Sequence, residues 1–403
     1  MKKVAIIGAG ASGLMAACFA SPRSKVAVFE KQKMPGRKIL ATGNGRCNIS
    51  NRNIDAAHYF GENPAFVHNV FGTFGLPETE AFFSEIGIPF AEGKDGKLYP
   101  ASLTASSVQK NLVYEAQKRG AEIILHRKIE KIIPSKQSFT LITAGREQFT
   151  FDAVILAAGS CAYPQLGGSH EGYELARSLG HTITPLFPAI VPLNATPKAL
   201  HRLEGIKWDC ALAVCAVNTI IATSTGEVLF TKYGISGPAA LDISHAVNRE
   251  IIKGNSVEIH IDFFPDMSET ELFALAELLC ADTNKQCALS FSGIIKERIA
   301  EVIISSSGKD PFAPCSAIAR DELRAIVNNF KHFRIFPGKP RPFTEAMVAA
   351  GGISTNEIHP ATMESRIVPC FYITGELLDI TGASGGYNLQ FAWSTGAIAG
   401  MNV

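Results

Sequence analysis

The stretch "KVAIIGAGASGLMAA", from Lys3 to Ala17, restricts the fold of this chain more than any other. Its apolar run predicts a buried strand, the glycines that follow fit the pattern G-x-G-x-x-G, and the residues after them predict a helix. The next predicted strand, "KVAVFE", ends at the acidic residue Glu30, about 20 residues further on, as that pattern requires. The sequence therefore predicts a Rossmann-type dinucleotide site rather than a glycine-rich turn without a ligand.

Each glycine of this pattern has a physical role. Gly8 makes the tight turn, Gly10 has no side chain to block a pyrophosphate, and Gly13 lets the helix pack closely on the strand. The phosphates are expected at the helix N-terminus, where N–H groups and the helix dipole favour negative charge. Glu30 is expected to accept hydrogen bonds from the ribose hydroxyls, and its charge disfavours a 2′-phosphate. The nucleotide predicted here is FAD or NAD, not NADP.

The amino-acid composition indicates the broad class of protein. The chain has 403 residues, of which 46% are hydrophobic and 19% charged, which fits a globular α/β protein of about two domains. The formal net charge of +1 gives no reason to expect nucleic acid or an anionic membrane as partner. The later apolar run at 211–222 is too short for a membrane span. We expect a small-molecule substrate and leave the oligomeric state open.

The nine cysteines are scattered without a C-x-x-C pair, which is typical of reduced thiols in a cytoplasmic protein. The ten histidines show neither H-E-x-x-H nor a Cys/His spacing suited to zinc. The sequence therefore predicts no metal site.

The C-terminal region indicates whether the predicted dinucleotide is FAD or NAD. From Phe371 the chain returns to the style of its beginning, with a strand, the glycine-rich loop "ELLDITGASGGY" and a helix that starts near Asn388. Gly382, Gly385 and Gly386 permit close backbone approach, and a helix N-terminus there favours the negative charge of a reduced flavin. A nucleotide domain completed from both chain ends favours FAD.

Several motifs resemble those of the BaiN-like family of FAD-dependent oxidoreductases, which includes proteins called aminoacetone oxidases. They are "GRKILATGNGRCNISN", "KLYPAS", "LFTKYGISGPAALDIS", "AMVAAGGIS" and "GELLDITGASGGYNLQ", and the resemblance runs from residue 4 to about residue 400. It implies an α/β fold: a glutathione-reductase-like FAD-binding Rossmann domain, an inserted β-barrel-like domain and a small helical subdomain. The corresponding ranges are 1–188 with 340–403 for the FAD domain, 189–266 with 335–355 for the β-rich domain, and 267–334 for the helical insertion.

The resemblance also implies contacts to FAD. It places Ser12 in the phosphate loop, Glu30 at the ribose, Arg37 and Lys38 near the pyrophosphate, the Ile129 backbone at the adenine, and Glu376 with Asn388 and Leu389 at the C-terminal end. The full set of predicted cofactor-binding residues adds the three pattern glycines and six others: Gly43, Arg46, Gly159, Gly375, Asp379 and Gly386.

The loop "ATGNGRCN" departs from the family at one position, since members often carry glycine where this chain has Asn44. Asparagine tolerates a positive φ better than most residues, so the loop conformation need not change. Cys47 in this loop is either a redox partner of the flavin or a packed thiol, and without a second cysteine disulfide exchange is disfavoured. Arg46 either orders the loop and pairs with an anionic group or is an ordinary surface arginine.

Other candidates for chemistry lie further along the chain. In "TKYGISGPAALDIS", Lys232 or Tyr233 could donate to a substrate oxygen, beside a helix predicted to have Ser236 as its N-cap; a well-capped structural helix is the equal alternative. Tyr387 is a candidate proton donor next to the flavin loop. Ser384 stands at the centre of a G-x-S-x-G pattern, but no buried strand immediately precedes it, which disfavours hydrolase chemistry.

Two classes of function follow. The first is an enzyme in which FAD takes a hydride from a small substrate or from NAD(P)H and passes it to an organic acceptor or to oxygen. Within it, the resemblance allows reduction of a carbon–carbon double bond or oxidation of an amino ketone with peroxide release. The chain contains no second glycine fingerprint after a strand, so NAD(P)H would dock transiently. The second class is a non-catalytic flavin-binding scaffold for a macromolecule.

Overall fold

The N-terminal strand lies at the centre of a parallel sheet. We describe a computed structural model that covers residues 1–403, apart from the side chain of Lys198. The β-strands of the described chain are β1 (Lys2–Ile7), β2 (Ser24–Phe29), β3 (Ser50–Asn51), β4 (Tyr59–Phe60), β5 (Phe90–Glu92), β6 (Lys97–Pro100), β7 (Glu122–Ile124), β8 (Ile129–Pro134), β9 (Phe139–Thr143), β10 (Gln148–Phe151), β11 (Ala153–Leu156), β12 (Phe187–Ala189), β13 (Leu193–Thr196), β14 (Lys207–Ala216), β15 (Thr219–Thr231), β16 (Gly234–Ser236), β17 (Val257–Asp262), β18 (Phe333–Pro337), β19 (Val348–Ala350), β20 (Phe371–Ile373) and β21 (Thr381–Gly382).

The α-helices follow the periodic apolar segments of the sequence. They are α1 (Ala11–Ala20), α2 (Arg37–Ala41), α3 (Phe66–Thr73), α4 (Leu76–Glu85), α5 (Ala105–Lys118), α6 (Glu171–Ser178), α7 (Pro238–Ile252), α8 (Glu269–Leu279), α9 (Cys287–Phe291), α10 (Glu297–Ser306), α11 (Arg320–Lys331) and α12 (Tyr387–Asn402). Within residues 1–403 as described, none of these helices is both long enough and apolar enough to cross a bilayer.

The chain divides into two compact units, residues 1–186 with 347–403, and residues 187–346. In the first unit the sheet order is β20-β11-β1-β2-β7, and every neighbouring pair is parallel. The strands β8, β9 and β10 form a separate antiparallel meander between β7 and β11. Because β20 comes from the C-terminal region, both ends of the chain build this one sheet, as the sequence predicts.

The second unit is built around a closed barrel with the strand order β13-β16-β15-β14-β17-β18. The strand β17 shows why a barrel forms, since Val257, Ile259 and Ile261 are buried while the residues between them are partly exposed. The helices α8 to α11 pack their apolar faces into the same hydrophobic core as the barrel strands. The α/β class with an inserted barrel is thus confirmed, while the finer division into three domains stays a prediction.

The start of α7 corrects one prediction. Ser236 is not the N-cap of this helix but the last residue of β16, where it pairs with Leu229. Gly237 is the N-cap, with φ of 89°, and Pro238 is the first helical residue. A Cβ on Gly237 would lie 2.7 Å from the carbonyl oxygen of Glu227, so only glycine fits the sharp turn from barrel strand to helix.

We expect the stability of the second unit to fall between pH 6.5 and pH 4 because of His245 on α7. This side chain is buried against the ring of Phe187, and burial, aided by the charge of Arg249, lowers the pKa of His245 to about 4. The pKa in the unfolded chain is about 6.5. Between these values the unfolded chain binds a proton that the native protein excludes, so native stability decreases as pH falls, by about 2 kcal/mol at pH 5.

The measurement is the free energy of urea unfolding at pH 7.5 and pH 5. The variant His245→Gln should lose about 2 kcal/mol less over this interval than the wild-type protein. The exposed His359 supplies the matched control, since His359→Gln should keep the wild-type pH dependence. Equal pH dependence for all three proteins would contradict the burial effect.

Candidate functional site

A deep cleft lies at the carboxyl edge of the parallel sheet, within the first unit. The strands β1, β2 and β11 end beside it, and the residues that follow them form part of its wall. The cleft contains about 1290 Å³ of space, part of it open to solvent. Ligands of open α/β sheets bind at this edge, where successive loops diverge.

Most of the predicted cofactor-binding residues line this cleft. They are Gly8, Gly10, Ser12, Glu30, Arg37, Lys38, Ile129, Gly159, Glu376, Asn388 and Leu389. These residues come from the first 160 positions and from the C-terminal region, so the structure brings together the two halves of the site that the sequence predicts.

The glycine loop is shaped for a phosphate group. Gly8 has φ of 105° and donates its N–H to the carbonyl oxygen of Phe29 at 2.8 Å, which closes the turn onto β2. A Cβ on Gly10 would meet no atom within 4 Å and would fill the space beside the N-terminus of α1. A Cβ on Gly13 would lie 1.9 Å from the carbonyl oxygen of Gly8. Gly10 thus keeps room for a ligand, whereas Gly13 permits close packing.

Glu30 is held in place by the main chain. Its Oε2 accepts the N–H of Ala9 at 2.9 Å and its Oε1 accepts the N–H of Gln32 at 2.8 Å. The carboxylate therefore needs no side-chain partner to keep its orientation in the cleft. Each oxygen retains a lone pair that can accept a hydrogen bond from a ribose hydroxyl.

Charged side chains along the cleft pair with one another. Glu171 accepts hydrogen bonds from both Lys31 and Lys128, each at 2.7 Å. Burial raises the pKa of Glu171, but the two lysine contacts outweigh it and lower that pKa to about 2. Glu376 forms a 2.7 Å ion pair with Lys38. Glu171 therefore stays ionised, and the two carboxylates fix the basic side chains at the wall of the cleft.

The first turn of α12 forms one end of the cleft through Asn388 and Leu389. The side-chain amide of Asn388 accepts the N–H of Gly382 and donates to its carbonyl oxygen, both at 2.8 Å. Asn388 thus fixes the glycine-rich loop to the helix, and the helix N-terminus directs its partial positive charge towards the cleft.

The loop "ATGNGRCN" adopts the left-handed conformation at three consecutive positions and again at Cys47. The φ values are 57° at Gly43, 54° at Asn44, 83° at Gly45 and 60° at Cys47. Asn44 therefore takes the positive φ that the sequence analysis allowed for it. The side chain of Arg46 lies over the ring of Tyr99, 5.0 Å from its centroid, which orders the loop.

Buried hydrogen bonds fasten the continuation of this loop to α12. Gln390 is fully buried, accepts from the Ser50 hydroxyl at 2.6 Å and donates to the hydroxyls of Thr79 and Ser394 at 2.8 and 3.0 Å. The indole N–H of Trp393 donates to the carbonyl oxygen of Ile49 at 3.0 Å. The two motifs that are most specific in the sequence, "GRCN" and "GGYNLQ", are therefore packed side by side.

The structure places the three catalytic candidates in different surroundings. Cys47 is fully buried, and burial raises the pKa of its thiol to about 12, against a smaller opposing contribution from Thr42. Tyr387 is buried and stacks on His58, with ring centroids 4.5 Å apart. Lys232 is exposed in the second unit. Their catalytic roles stay predictions, and the surroundings of Cys47 favour packing.

Six predicted cofactor-binding residues have structural contacts instead of a place in the cleft wall: Gly13, Gly43, Arg46, Gly375, Asp379 and Gly386. A Cβ on Gly375 would lie 2.6 Å from the hydroxyl of Ser12, and one on Gly386 would lie 2.3 Å from the carbonyl oxygen of Ser50. The carboxylate of Asp379 accepts the N–H of Glu62 at 3.1 Å. These contacts hold neighbouring segments in place, and direct contact of the six residues with a cofactor stays a prediction.

Some lining residues were not among the predicted ones, in particular Lys31, Lys128, Ser160, Glu171, Met347 and Val348. Lys31 directly follows Glu30 and could have been found by its position at the strand end. Met347 and Val348 stand in the family motif "AMVAAGGIS", whose location in the cleft no local pattern indicates.

These side chains fit the chemistry of FAD. Gly10 leaves space for a pyrophosphate, five basic side chains outnumber three acidic ones along the cleft, and Glu30 presents acceptors for a ribose.

Two glycine variants should separate ligand binding from folding. Gly10→Ala should abolish tight FAD binding, because the added methyl group occupies the space meant for the ligand. The apoprotein should unfold at the wild-type temperature, because φ at Gly10 is −81°, a value that alanine adopts without strain, and the methyl group meets no protein atom within 4 Å. Gly13→Ala should lower the stability of the apoprotein by about 1–3 kcal/mol or more, because backbone atoms must move. Flavin absorbance after gel filtration and the apoprotein Tm measure the two effects. Wild-type FAD content in Gly10→Ala would contradict the placement of the phosphates.

Cys47 should resist alkylation in the native protein. Its thiol lacks solvent access and carries almost no thiolate at pH 8, whereas Cys370 in the same unit is partly exposed. Peptide mass spectrometry after iodoacetamide treatment should find Cys370 modified first, and Cys47 modified only after unfolding in urea. Equal rates at the two cysteines in the native state would show that the Cys47 thiol is accessible.

Comparison with known proteins places the chain in a family. The HI0933-like protein Rossmann domain matches residues 2–402. The chain is 36% identical to 3-dehydro-bile acid delta(4,6)-reductase of Clostridium scindens, with 99% of this chain and 98% of the relative covered. It is 30% identical to ribosomal RNA dihydrouridine synthase of Escherichia coli, with 97% and 95% covered.

Among solved structures, quinol-fumarate reductase with menaquinol molecules aligns with a TM-score of 0.50 at 16% identity. The alignment covers 99% of this chain and 70% of that chain, and it supports the fold alone. The family match and the full-length relatives confirm the predicted family. The chain therefore belongs to the HI0933-like Rossmann family, and it is a BaiN-like FAD-dependent oxidoreductase.

Proposed function

We propose that this protein reduces a carbon–carbon double bond conjugated with a carbonyl group, with FAD as hydride carrier and NAD(P)H as electron source. The observation that carries this proposal is that two full-length relatives are named for one type of reaction. A delta(4,6)-reductase of a 3-dehydro-bile acid saturates ring double bonds conjugated with the 3-oxo group. Dihydrouridine is uridine whose C5–C6 double bond, conjugated with a carbonyl, has gained two hydrogens.

The residues of the cleft have the roles that such an enzyme requires. Glu30 and the glycine loop orient the nucleotide part of FAD, and bound FAD supplies the hydride-transfer chemistry. The N-terminus of α12 stabilises negative charge at the opposite end of the cleft. The network of Gln390 keeps the segment 45–51 against that helix, so that the site stays rigid at this end.

The proposed reaction balances without a further oxidant or reductant. NAD(P)H loses a hydride and becomes NAD(P)⁺, and the substrate gains that hydride at its β-carbon and a proton from solvent at its α-carbon. The sequence carries one glycine fingerprint after a strand, which FAD uses. The nicotinamide donor is therefore proposed to bind transiently, without a Rossmann domain of its own.

We propose a small molecule, such as a steroid-like enone, as the substrate. The relative that acts on a bile acid is 36% identical, against 30% for the enzyme of ribosomal RNA. The chain also has 38 basic and 37 acidic residues, so its overall charge gives little attraction for RNA phosphates. Ribosomal RNA is the second candidate substrate, favoured by the 30% identical relative.

Stopped-flow spectroscopy under anaerobic conditions tests this proposal. NADH or NADPH should bleach the flavin absorbance, and a 3-oxo-4,6-diene steroid should restore it and appear as a product with two added hydrogens. The saturated 3-oxo steroid, which offers no double bond, should not restore the absorbance. Gly10→Ala protein is the control without cofactor.

The other outcomes identify the alternatives. Restoration by unmodified ribosomal RNA fragments but by no small enone would assign the RNA substrate. Bleaching by an amino ketone, followed by hydrogen peroxide release in air, would assign the oxidase reaction. A flavin that no donor bleaches would contradict an enzymatic role and favour the scaffold.

A further inference from the structure

Three cysteines of the second unit meet at one point. The Sγ atoms of Cys280, Cys287 and Cys315 all lie within 4.8 Å of one another. Cys287 and Cys315 are buried, while Cys280 is half-buried. We call these residues the three-cysteine cluster. An apolar role in the core would not require the sulfur atoms to be neighbours, so their convergence calls for a chemical explanation.

The three thiols come from separate structural elements. Cys280 is the C-cap of α8 and donates its N–H to the carbonyl oxygen of Ala276. Cys287 is the first residue of α9, and Cys315 begins a short 3-10 turn before α11. Because no two of them form a C-x-x-C pair, the spacing along the chain matches none of the usual zinc patterns. This explains why the sequence predicts no metal site.

Backbone hydrogen bonds fix two of the three positions. The N–H of Cys287 donates to Ala313 at 2.9 Å, and the N–H of Cys315 donates to Lys285 at 2.9 Å. The segments also pair through a bridge between Gln286 and Pro314. The sulfur atoms of Cys287 and Cys315 are thus held close together by backbone contacts that do not involve the thiols. Cys280 supplies the third sulfur ligand.

The side-chain surroundings suit a cation held by thiolates. The hydroxyl of Ser290 lies 3.3 Å from Sγ of Cys315, where it can orient this sulfur. Zinc lies about 2.3 Å from each thiolate sulfur, so that a small inward rotation of the three side chains would surround one ion. Because Cys280 is only half-buried, a water molecule could reach the ion as a fourth ligand.

We propose that Cys280, Cys287 and Cys315 bind a single thiophilic metal ion of the zinc class. Each thiol loses its proton to solvent as the ion binds, and no electron is transferred. The ion connects the end of α8, the start of α9 and the segment before α11. Its role is structural, because it adds metal–sulfur bonds to the backbone contacts that already join these three segments.

Cobalt(II) is the probe for this site, because tetrahedral cobalt thiolates absorb red light in a region where oxidised flavin does not. The full-length, FAD-loaded protein is kept reduced and titrated with Co²⁺ alone. We expect one equivalent of Co²⁺ to produce these bands and one equivalent of Zn²⁺ to abolish them, with Zn²⁺ also raising the Tm of the protein.

Variants identify the ligands. Cys280→Ser, Cys287→Ser and Cys315→Ser should each weaken Co²⁺ binding by more than about tenfold. Cys215, a partly exposed cysteine on the barrel strand β14, supplies the matched control, and Cys215→Ser should bind Co²⁺ like the wild-type protein. Far-ultraviolet circular dichroism and FAD content confirm that each variant is folded. Cys280→Ser is the most informative variant, since its side chain is the least buried of the three.

Three results would overturn the proposal. The first is a reduced wild-type protein that takes up no Co²⁺ or Zn²⁺. The second is an unchanged cobalt spectrum in the folded Cys280→Ser variant. The third is a disulfide between two of the three cysteines in protein purified under reducing conditions, which would assign the cluster to thiol oxidation instead.

Discussion

A single buried glutamine, Gln390, holds the two most characteristic loops of this protein together. Its side-chain amide satisfies the hydroxyls of Ser50, Thr79 and Ser394 in an environment closed to water. Loss of one such partner leaves a buried polar group unsatisfied, at a cost of about 1–3 kcal/mol, so the network admits few alternatives. The strand β3, which contains Ser50, and the helix that contains Asn388 are therefore fixed relative to each other at one end of the cleft.

At the other end, the parallel register of β1 and β2 places the two nucleotide-binding elements side by side. Ile7 is paired with Phe29, so that the phosphate loop and Glu30 follow the two strands at the same level of the sheet. The hydrogen bond from Ala9 to Glu30 then joins them directly. This part of the site was predictable from sequence, because every residue involved belongs to one continuous strand-loop-helix-strand unit whose geometry leaves little freedom.

Features that depend on distant segments could not be predicted in the same way. The pairing of Lys31 and Lys128 with Glu171 unites residues of three separate segments, and none of them belongs to a local motif. The three-cysteine cluster has the same origin, since its members become neighbours only when the end of α8, the start of α9 and the segment before α11 pack together. The wrong prediction of Ser236 as an N-cap has a different cause. Ser236 pairs with Leu229 in the barrel, and this pairing outweighs the intrinsic preference of serine for a helix N-terminus.

The charges of the cleft show how several basic side chains can lie close together in one site. Five basic side chains at close range would repel one another, and the acidic residues offset this repulsion: Glu171 contacts two lysines and Glu376 contacts Lys38. Glu30 is held by main-chain N–H groups instead, so it adds negative charge without neutralising a lysine. The remaining excess of positive charge attracts an anionic group, and the carboxylate of Glu30 stays available for neutral hydroxyls. In the proposed complex with FAD, one set of ion pairs would serve both the stability of the fold and the recognition of the dinucleotide.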